Sequence, residues 1–212
     1  MTRIEFESFN CQAQQYPEDI DAFDFYVTSG SKSSAYDDED WIKQLIAFVQ
    51  KLDRAKKKLI GICFGHQIIA LARGGKVSRS EKGWGVGMSH NQVLKQPSWM
   101  KQSTGDLKIL VSHQDQVSEI KGNYEIIAGS DFCPHFILQW DQHFLSIQGH
   151  PEWQNSYSED LIQFRSNIIP ANRVEKGLAS LSETSDNELF TRWVLDFRAE
   201  IDFLLGLAIY HS

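Results

Sequence analysis

Two short apolar runs flanking one amphipathic stretch restrict the fold of this chain more than any other feature. Residues 23–28 (Phe-Asp-Phe-Tyr-Val-Thr) and 58–62 (Lys-Leu-Ile-Gly-Ile) are too short for core helices, and both run into small residues. The first meets Ser29-Gly30-Ser31 and the second meets Gly61-Ile62-Cys63-Phe64-Gly65. Each pattern reads as a buried strand feeding a tight loop. Between them, Trp41, Leu45, Phe48 and Leu52 recur at intervals of four, three and four, which places one apolar stripe on a helix over residues 38–54. The acidic run Asp37-Asp38-Glu39-Asp40 supplies an N-cap and a first turn that suits the helix dipole. A second helix is predicted from about His66 to Arg73, ended by Gly74-Gly75. This strand–helix–strand–helix order predicts an α/β fold, with a mostly parallel sheet covered by helices on both faces.

The character changes at residues 76–149. Short β-rich runs at 84–88, 107–111, 124–128, 136–140 and 144–148 are punctuated by Gly, Pro and Asn, which predicts a small β meander and further sheet strands. Helical patterning returns from Ser156, and Leu189, Trp193, Phe197, Ile201, Leu204 and Ala208 mark a long terminal amphipathic helix. No linker interrupts the chain, so residues 1–212 are read as one domain. A net charge of −7 argues against a nucleic-acid groove. The one basic run, Arg54 and Lys56-Lys57-Lys58, reads as a solvated helix end. Cys11, Cys63 and Cys133 are far apart, with no CxxC pair, so neither a zinc knuckle nor a disulfide framework is expected and a cytoplasmic setting fits best. No stretch reaches the ~20 apolar residues of a membrane helix, and the first residues carry no apolar signal core.

Chemistry concentrates at Cys63. A small residue two before and two after it lets the chain turn sharply from strand to helix and present the side chain at the carboxyl edge of the sheet, as in a nucleophile elbow. A helix N-terminus at this point favours the thiolate, and the Phe64 N–H is available to an oxyanion. The bland alternative is a buried core thiol. The second element is Gly149-His150-Pro151-Glu152, which follows the run 144–148 and so also sits at a strand end. His150 there can act as general base toward Cys63, and Glu152 can fix its tautomer. An isolated His-x-Glu pair also suits a turn or a metal site, but no third ligand has helpful spacing, and no metal is assigned.

The elbow Cys63-Phe64-Gly65-His66-Gln67, the segment Val111-Ser112-His113-Gln114-Asp115-Gln116-Val117 and the Gly149–Glu152 stretch occur in an order that resembles class I glutamine amidotransferases. The resemblance runs from about Tyr16 into the terminal helix. It is nearest to small stand-alone members similar to γ-glutamyl peptidases, on the Ser29-Gly30-Ser31 loop, the Gly83-Trp84 turn and the Cys133-Pro134 pair. It implies a flavodoxin-like doubly wound sheet, a Cys63–His150–Glu152 triad and a second oxyanion N–H from Gly30. It further implies that Gln67, Ser112 and His113 hold the α-amino and α-carboxylate end of a glutamyl group. His66, His90, His135 and His143 receive no role, and Cys11 and Cys133 are read as structural. Family members open with an extra strand and helix before the segment matching residues 4–9, and that strand lies beside the nucleophile strand. Here the chain starts at about the second strand, so the expectation is an opened wall, with a homodimer or a rearranged segment around Ile4, Phe6 and Phe9 filling the place.

The reading is hydrolysis of a γ-glutamyl amide, in glutamine or a γ-glutamyl peptide, through a thioester on Cys63, with no cofactor. A glutaminase subunit passing ammonia to a synthetase partner, such as the one that makes GMP, is the nearest rival. A non-catalytic regulatory or redox-sensing protein that keeps the elbow is the rival from another class.

Overall fold

The computed structural model describes residues 5–103 and 105–208, with side chains described through residue 199. Ile4 and the side chains of Ile201, Leu204 and Ala208 lie outside the described residues. The chain runs β1 (Phe25–Thr28), α1 (Asp40–Arg54), β2 (Lys58–Ile62), α2 (Phe64–Ala72), β3 (Lys76–Arg79), β4 (Gly85–Val93) and β5 (Asp106–His113). It continues β6 (Asp115–Glu119), β7 (Tyr124–Gly129), β8 (Ile137–Trp140), β9 (Phe144–Ile147), α3 (Asn155–Phe164), α4 (Ala171–Ser180) and α5 (Asn187–Ala208).

The main sheet has the order β1-β2-β9-β8-β7-β4-β5. The α/β layering expected from the sequence is present. Parallel pairing, however, is confined to β1–β2 and β2–β9, and the other neighbours are antiparallel. The cause is connection length. Residues 141–143 alone join β8 to β9, far too few for the crossover that a parallel neighbour requires. A separate antiparallel ribbon, β3–β6, pairs Val77 with Val117. Neither of its strands is evident from local patterning, because each is short and finds its partner far along the chain.

Alternation along the strands feeds two cores. On one face Ile60, Leu145 and Ile147 pack with Phe190, Trp193 and Phe197 of α5. On the other, Leu59, Leu138 and Phe144 meet Ile42, Leu45, Val49 and Leu52 of α1 and Ile68 and Ile69 of α2. Each such large side chain contributes roughly 1.5–3 kcal/mol when fully buried. Helix α1 starts two residues later than predicted. Its N-cap, Glu39, makes no side-chain capping bond, and Asp37 instead accepts the Ser34 N–H at 2.8 Å, so part of the acidic run braces the preceding loop.

Both places beside β2, the strand that leads into Cys63, are filled, by β1 and β9. The expected open wall next to Cys63 is therefore not found. The free edge on that side belongs to β1, where Val27 is 58% exposed. Residues 5–10 form no strand. The Phe9 ring meets Phe23 edge-on at 5.8 Å, while Phe6 is exposed.

At the amino end of β9, the Arg73 guanidinium bridges Asp53 (2.6 Å) and Asp141 (2.8 Å), and His143 Nε2 lies 2.7 Å from Asp53. Burial works to raise the Asp141 pKa, but hydrogen bonds from Asn123 and Arg73 outweigh it and hold the carboxyl below its ordinary value. These two acids and one imidazole are close enough to suggest a cation site. Arg73 already supplies the positive charge, and the cluster ties α1, α2 and the β8–β9 turn together.

Candidate active site

Cys63 sits between the end of β2 and the first residue of α2 with φ 51° and ψ −99°, a conformation that non-glycine residues rarely adopt. Its own N–H donates to the Ile147 carbonyl at 2.8 Å, and its carbonyl accepts the Gln67 N–H at 3.2 Å. The flanking glycines are required by close approach. A Cβ on Gly61 would lie 2.7 Å from the Gly65 carbonyl oxygen, and one on Gly65 would lie 2.4 Å from that of Thr28. The turn is thus packed so tightly against β1 that only hydrogen fits at either position.

The thiol does not ionise as expected from its helix N-terminus. Cys63 is 7% exposed, and burial, followed by the nearby Glu152 carboxylate, pushes its pKa up to about 12. The hydrogen bond from the Phe64 N–H, the bond from Gln148 and the Arg165 charge pull the other way without prevailing. Desolvation of the charged form wins over partial charges at the helix end. Burial thus favours the neutral thiol of Cys63. Among the described residues the side-chain donor to Sγ is Gln148 Nε2, at 3.5 Å, and not His150.

His150 reaches the same edge of the sheet because β9 lies parallel to β2, with Ile147 paired to Ile62. The chain leaves β9 with the His150 N–H bonded to the Leu110 carbonyl at 2.8 Å. The His150 ring is held on several sides. Nδ1 is 2.7 Å from Glu152 Oε1, and Trp153 stacks on the ring at 3.6 Å with planes 6° apart. A Cβ on Gly30 would come within 2.9 Å of His150 Cε1. With Nδ1 engaged by Glu152, Nε2 is the ring nitrogen left for proton transfer.

The remaining sequence-nominated residues gather around this pair. Gln67 is buried, and its amide donates to the Asp115 carbonyl (3.0 Å) and to Gln148 Oε1 (3.2 Å). Both of its N–H groups are spent internally, leaving Oε1 for other contacts. A relay thus runs from Asp115 through Gln67 and Gln148 to the thiol. His113 is buried, with Nδ1 3.1 Å from the Asp115 carbonyl. Burial, with the His150 charge adding to it and the Asp115 bond opposing it, takes the His113 pKa down to about 4. The Asp115 carboxylate accepts from Ser34 Oγ (2.6 Å) and Tyr36 OH (3.0 Å), which anchors the loop that follows Gly30. Ser112 Oγ accepts from Arg165 Nη1 at 2.9 Å.

Local patterning missed three of these participants. Gln148 and Trp153 flank His150 in sequence, so alternation along β9 and the turn after it held a weak signal for both. Arg165, on a distant helix end, had none. One groove of about 440 Å³ is lined by residues 95–99, 123–125, 139 and 141–142 and contains none of the nominated residues.

A family model described as Glutamine amidotransferase class-I matches residues 3–168. The chain belongs to the class I glutamine amidotransferase family. Among its relatives, Gamma-glutamyl peptidase 3 of Arabidopsis thaliana is 35% identical over 81% of this chain and 71% of its own length. Gamma-glutamyl peptidase 2 of the same plant is 39% identical over 68% of this chain and 60% of its own length. One subunit of the glutamine-hydrolyzing GMP synthase of Pyrococcus abyssi is 30% identical over 54% of this chain and 62% of its own length. In fold, the chain is similar to a glutamine amidotransferase from Thermotoga maritima, with a TM-score of 0.72 at 15% identity over 91% of this chain and 86% of that one. No helix among the described residues of this chain is long and apolar enough to cross a membrane.

Proposed function

We propose that this chain hydrolyses a γ-glutamyl amide with Cys63 as nucleophile, His150 as general base and acid, and Glu152 as the residue that holds the imidazole. One observation carries the reading: a strained cysteine elbow at the end of β2 lies beside a carboxylate-anchored histidine at the end of the adjacent parallel strand β9. In the first step Sγ attacks the amide carbon while its proton passes to His150 Nε2. The Phe64 and Gly30 N–H groups meet the oxyanion. Collapse breaks the C–N bond, the leaving nitrogen takes the proton from Nε2, and a γ-glutamyl thioester remains on Cys63. Water then gives a proton to Nε2 and attacks the thioester carbonyl. Glutamate departs and the thiol regains its proton. Because the resting group is a thiol rather than a thiolate, proton removal has to accompany attack, which is what a positioned imidazole supplies. Ser112, His113 and Gln67 Oε1 line the place for the glutamyl head. No cofactor or metal takes part in this scheme.

Similarity to the two γ-glutamyl peptidases supports a peptide or peptide-like leaving group. Similarity to part of a GMP synthase supports a second reading, in which glutamine is the substrate and ammonia passes to a synthetase partner. The deciding measurement is kcat/KM for glutamine and for γ-glutamyl dipeptides with the purified chain, using Cys63→Ser as the blank. Dipeptide turnover without a partner is the expected result, and glutamine turnover that appears only with an added synthetase would favour the second reading.

Gly30 offers a separate check on the catalytic geometry. A methyl group there drives into the His150 ring, and a displacement of about 1 Å costs on the order of 100-fold in rate. Gly30→Ala is expected to lower kcat by roughly that factor. Because Gly30 is exposed, the thermal midpoint should stay within a few degrees of the wild type. An unchanged kcat would place the reacting imidazole elsewhere.

A further inference from the structure

Trp153 lies face to face on the His150 ring, with centroids 3.6 Å apart and planes 6° from parallel. Its place is fixed independently of that stack. Its N–H donates to the His150 carbonyl at 3.3 Å, and its own carbonyl accepts from Asn187 Nδ2 at 2.7 Å. Tyr157 meets the indole at 61°, with centroids 5.1 Å apart. Aromatic pairs ordinarily avoid so close a face-to-face arrangement, because each face carries the negative part of a quadrupole. An imidazole reverses that preference when it takes a proton, since a cation is drawn to an indole face. The stack therefore has the geometry that suits a charged ring. His150 is 4% exposed, so little water competes for that charge. A second carboxylate could hold an imidazolium equally well, but at a cost to the nucleophile: Glu152 already adds to burial in raising the Cys63 pKa. A neutral π-face attracts the ring it touches, and its field fades faster with distance than that of a full charge.

We propose that Trp153 is a positioning residue whose indole face stabilises the positively charged His150 formed when the Cys63 proton passes to Nε2, and so lowers the barrier to thioester formation. This rests on the γ-glutamyl reading above and adds a side chain that acts through the imidazole. In that step the C–S bond forms, the thiol proton moves to Nε2, and the ring carries its charge until the leaving nitrogen takes the proton. The indole favours this interval over the state before transfer. An interaction that strengthens only along the reaction path raises kcat and leaves KM little changed. Packing alone would also lose rate on truncation, so the deciding variable is the electron density of the indole face at constant shape.

Fluorination withdraws that density with little change in size. The wild-type chain is prepared with all six tryptophans replaced by monofluorinated and then by trifluorinated tryptophan, and assayed with a γ-glutamyl dipeptide. Its kcat should fall stepwise, to about a tenth with the trifluorinated residue, while KM stays within about twofold. The same replacements in Trp153→Phe should alter kcat by less than about twofold, because the remaining indoles do not touch the imidazole. Trp153→Leu with natural tryptophan is expected to lose roughly 10- to 30-fold in kcat, and Trp153→Phe should retain more, as a weaker π-face. Equal responses of wild type and Trp153→Phe to fluorination, or equal rates in the Leu and Phe variants, would overturn the assignment. The fluorinated wild type keeps the question open to refutation even if Trp153→Leu fails to fold. A wild type that hydrolyses neither the dipeptide nor glutamine would remove the γ-glutamyl reading, and this role with it. An active wild type indifferent to fluorination would remove only the role of the indole.

Discussion

Cys63→Ser is expected to abolish hydrolysis, with kcat falling by about 10⁴ or more, while the unfolding midpoint stays close to that of the parent. The thiol is already held at about 12 by burial, and a hydroxyl in the same place is harder still to deprotonate. Its oxygen is also a poorer nucleophile and a smaller atom in a turn shaped for sulfur. His150→Gln removes the proton acceptor and is expected to cost about 10³–10⁴. The double variant should be little worse than Cys63→Ser alone, because the proposed mechanism uses the two groups as a unit. Glu152→Gln keeps the shape but weakens the hold on Nδ1, for an expected loss of about 10²–10⁴. Additive losses across the series would mean that these side chains do not work in one step. The same burial sets the alkylation profile. Iodoacetamide labelling of Cys63 should be slow at pH 7 and climb with pH above about 8, because only the thiolate reacts. A labelling rate that is already on a plateau below pH 7 would reveal a preformed thiolate and sink the thiol ground state.

The second large effect is on acid stability. His66 is fully buried at the start of α2, with Nδ1 2.7 Å from Ser146 Oγ. Burial first, then the neighbouring His135 and His113, takes its pKa down to about 3. His113 is down to about 4, chiefly through burial. Both rings are neutral in the fold and regain an ordinary affinity for protons on unfolding. Between the unfolded value of about 6.5 and the folded values, the unfolded chain binds more protons, so stability rises with pH across that window. The contribution is fully present above pH 6.5 and is lost as pH falls toward 3–4. At pH 5 each ring accounts for roughly 2 kcal/mol, and the pair for a drop of about 10 °C in Tm relative to pH 7.5. Carboxylates held below their ordinary range, such as Asp141, act at lower pH and do not confuse this interval. Urea midpoints for the wild type and for His66→Asn at pH 7.5 and pH 5 provide the check. The variant should lose about half as much between the two, and an equal loss would assign the acid sensitivity to other groups.

Some of this was readable from residues alone, for a physical reason. The strand at 58–62, the α1 stripe through Leu45 and Leu52, and the glycines two either side of Cys63 are short-range patterns. They express backbone sterics and one-sided burial, which a few neighbouring residues suffice to specify. The His150-Pro151-Glu152 pairing is equally local, and the 2.7 Å contact follows from two residues of separation. Strand pairing is different. The run at 144–148 looks much like the run at 136–140, yet β9 lies parallel to β2 on one side and antiparallel to β8 on the other. Only the lengths of the connections and the packing of α1, α2 and α5 distinguish these roles.

What the sequence by itself determined is most of the elements, though not the β3–β6 ribbon, and the presence of a thiol, an imidazole and a carboxylate at strand ends. Tertiary structure alone decided their chemical state and company. The helix N-terminus that favours a thiolate is a local feature, but the solvent excluded around Cys63 comes from distant strands, and that desolvation outweighs it. Gln148 on the sulfur, Trp153 on the His150 ring and Arg165 on Ser112 likewise arise where separate elements meet. Periodicity reports which face of an element is buried. It carries no record of what that face will touch, and solvation, hydrogen-bond partners and electrostatic fields all depend on that contact.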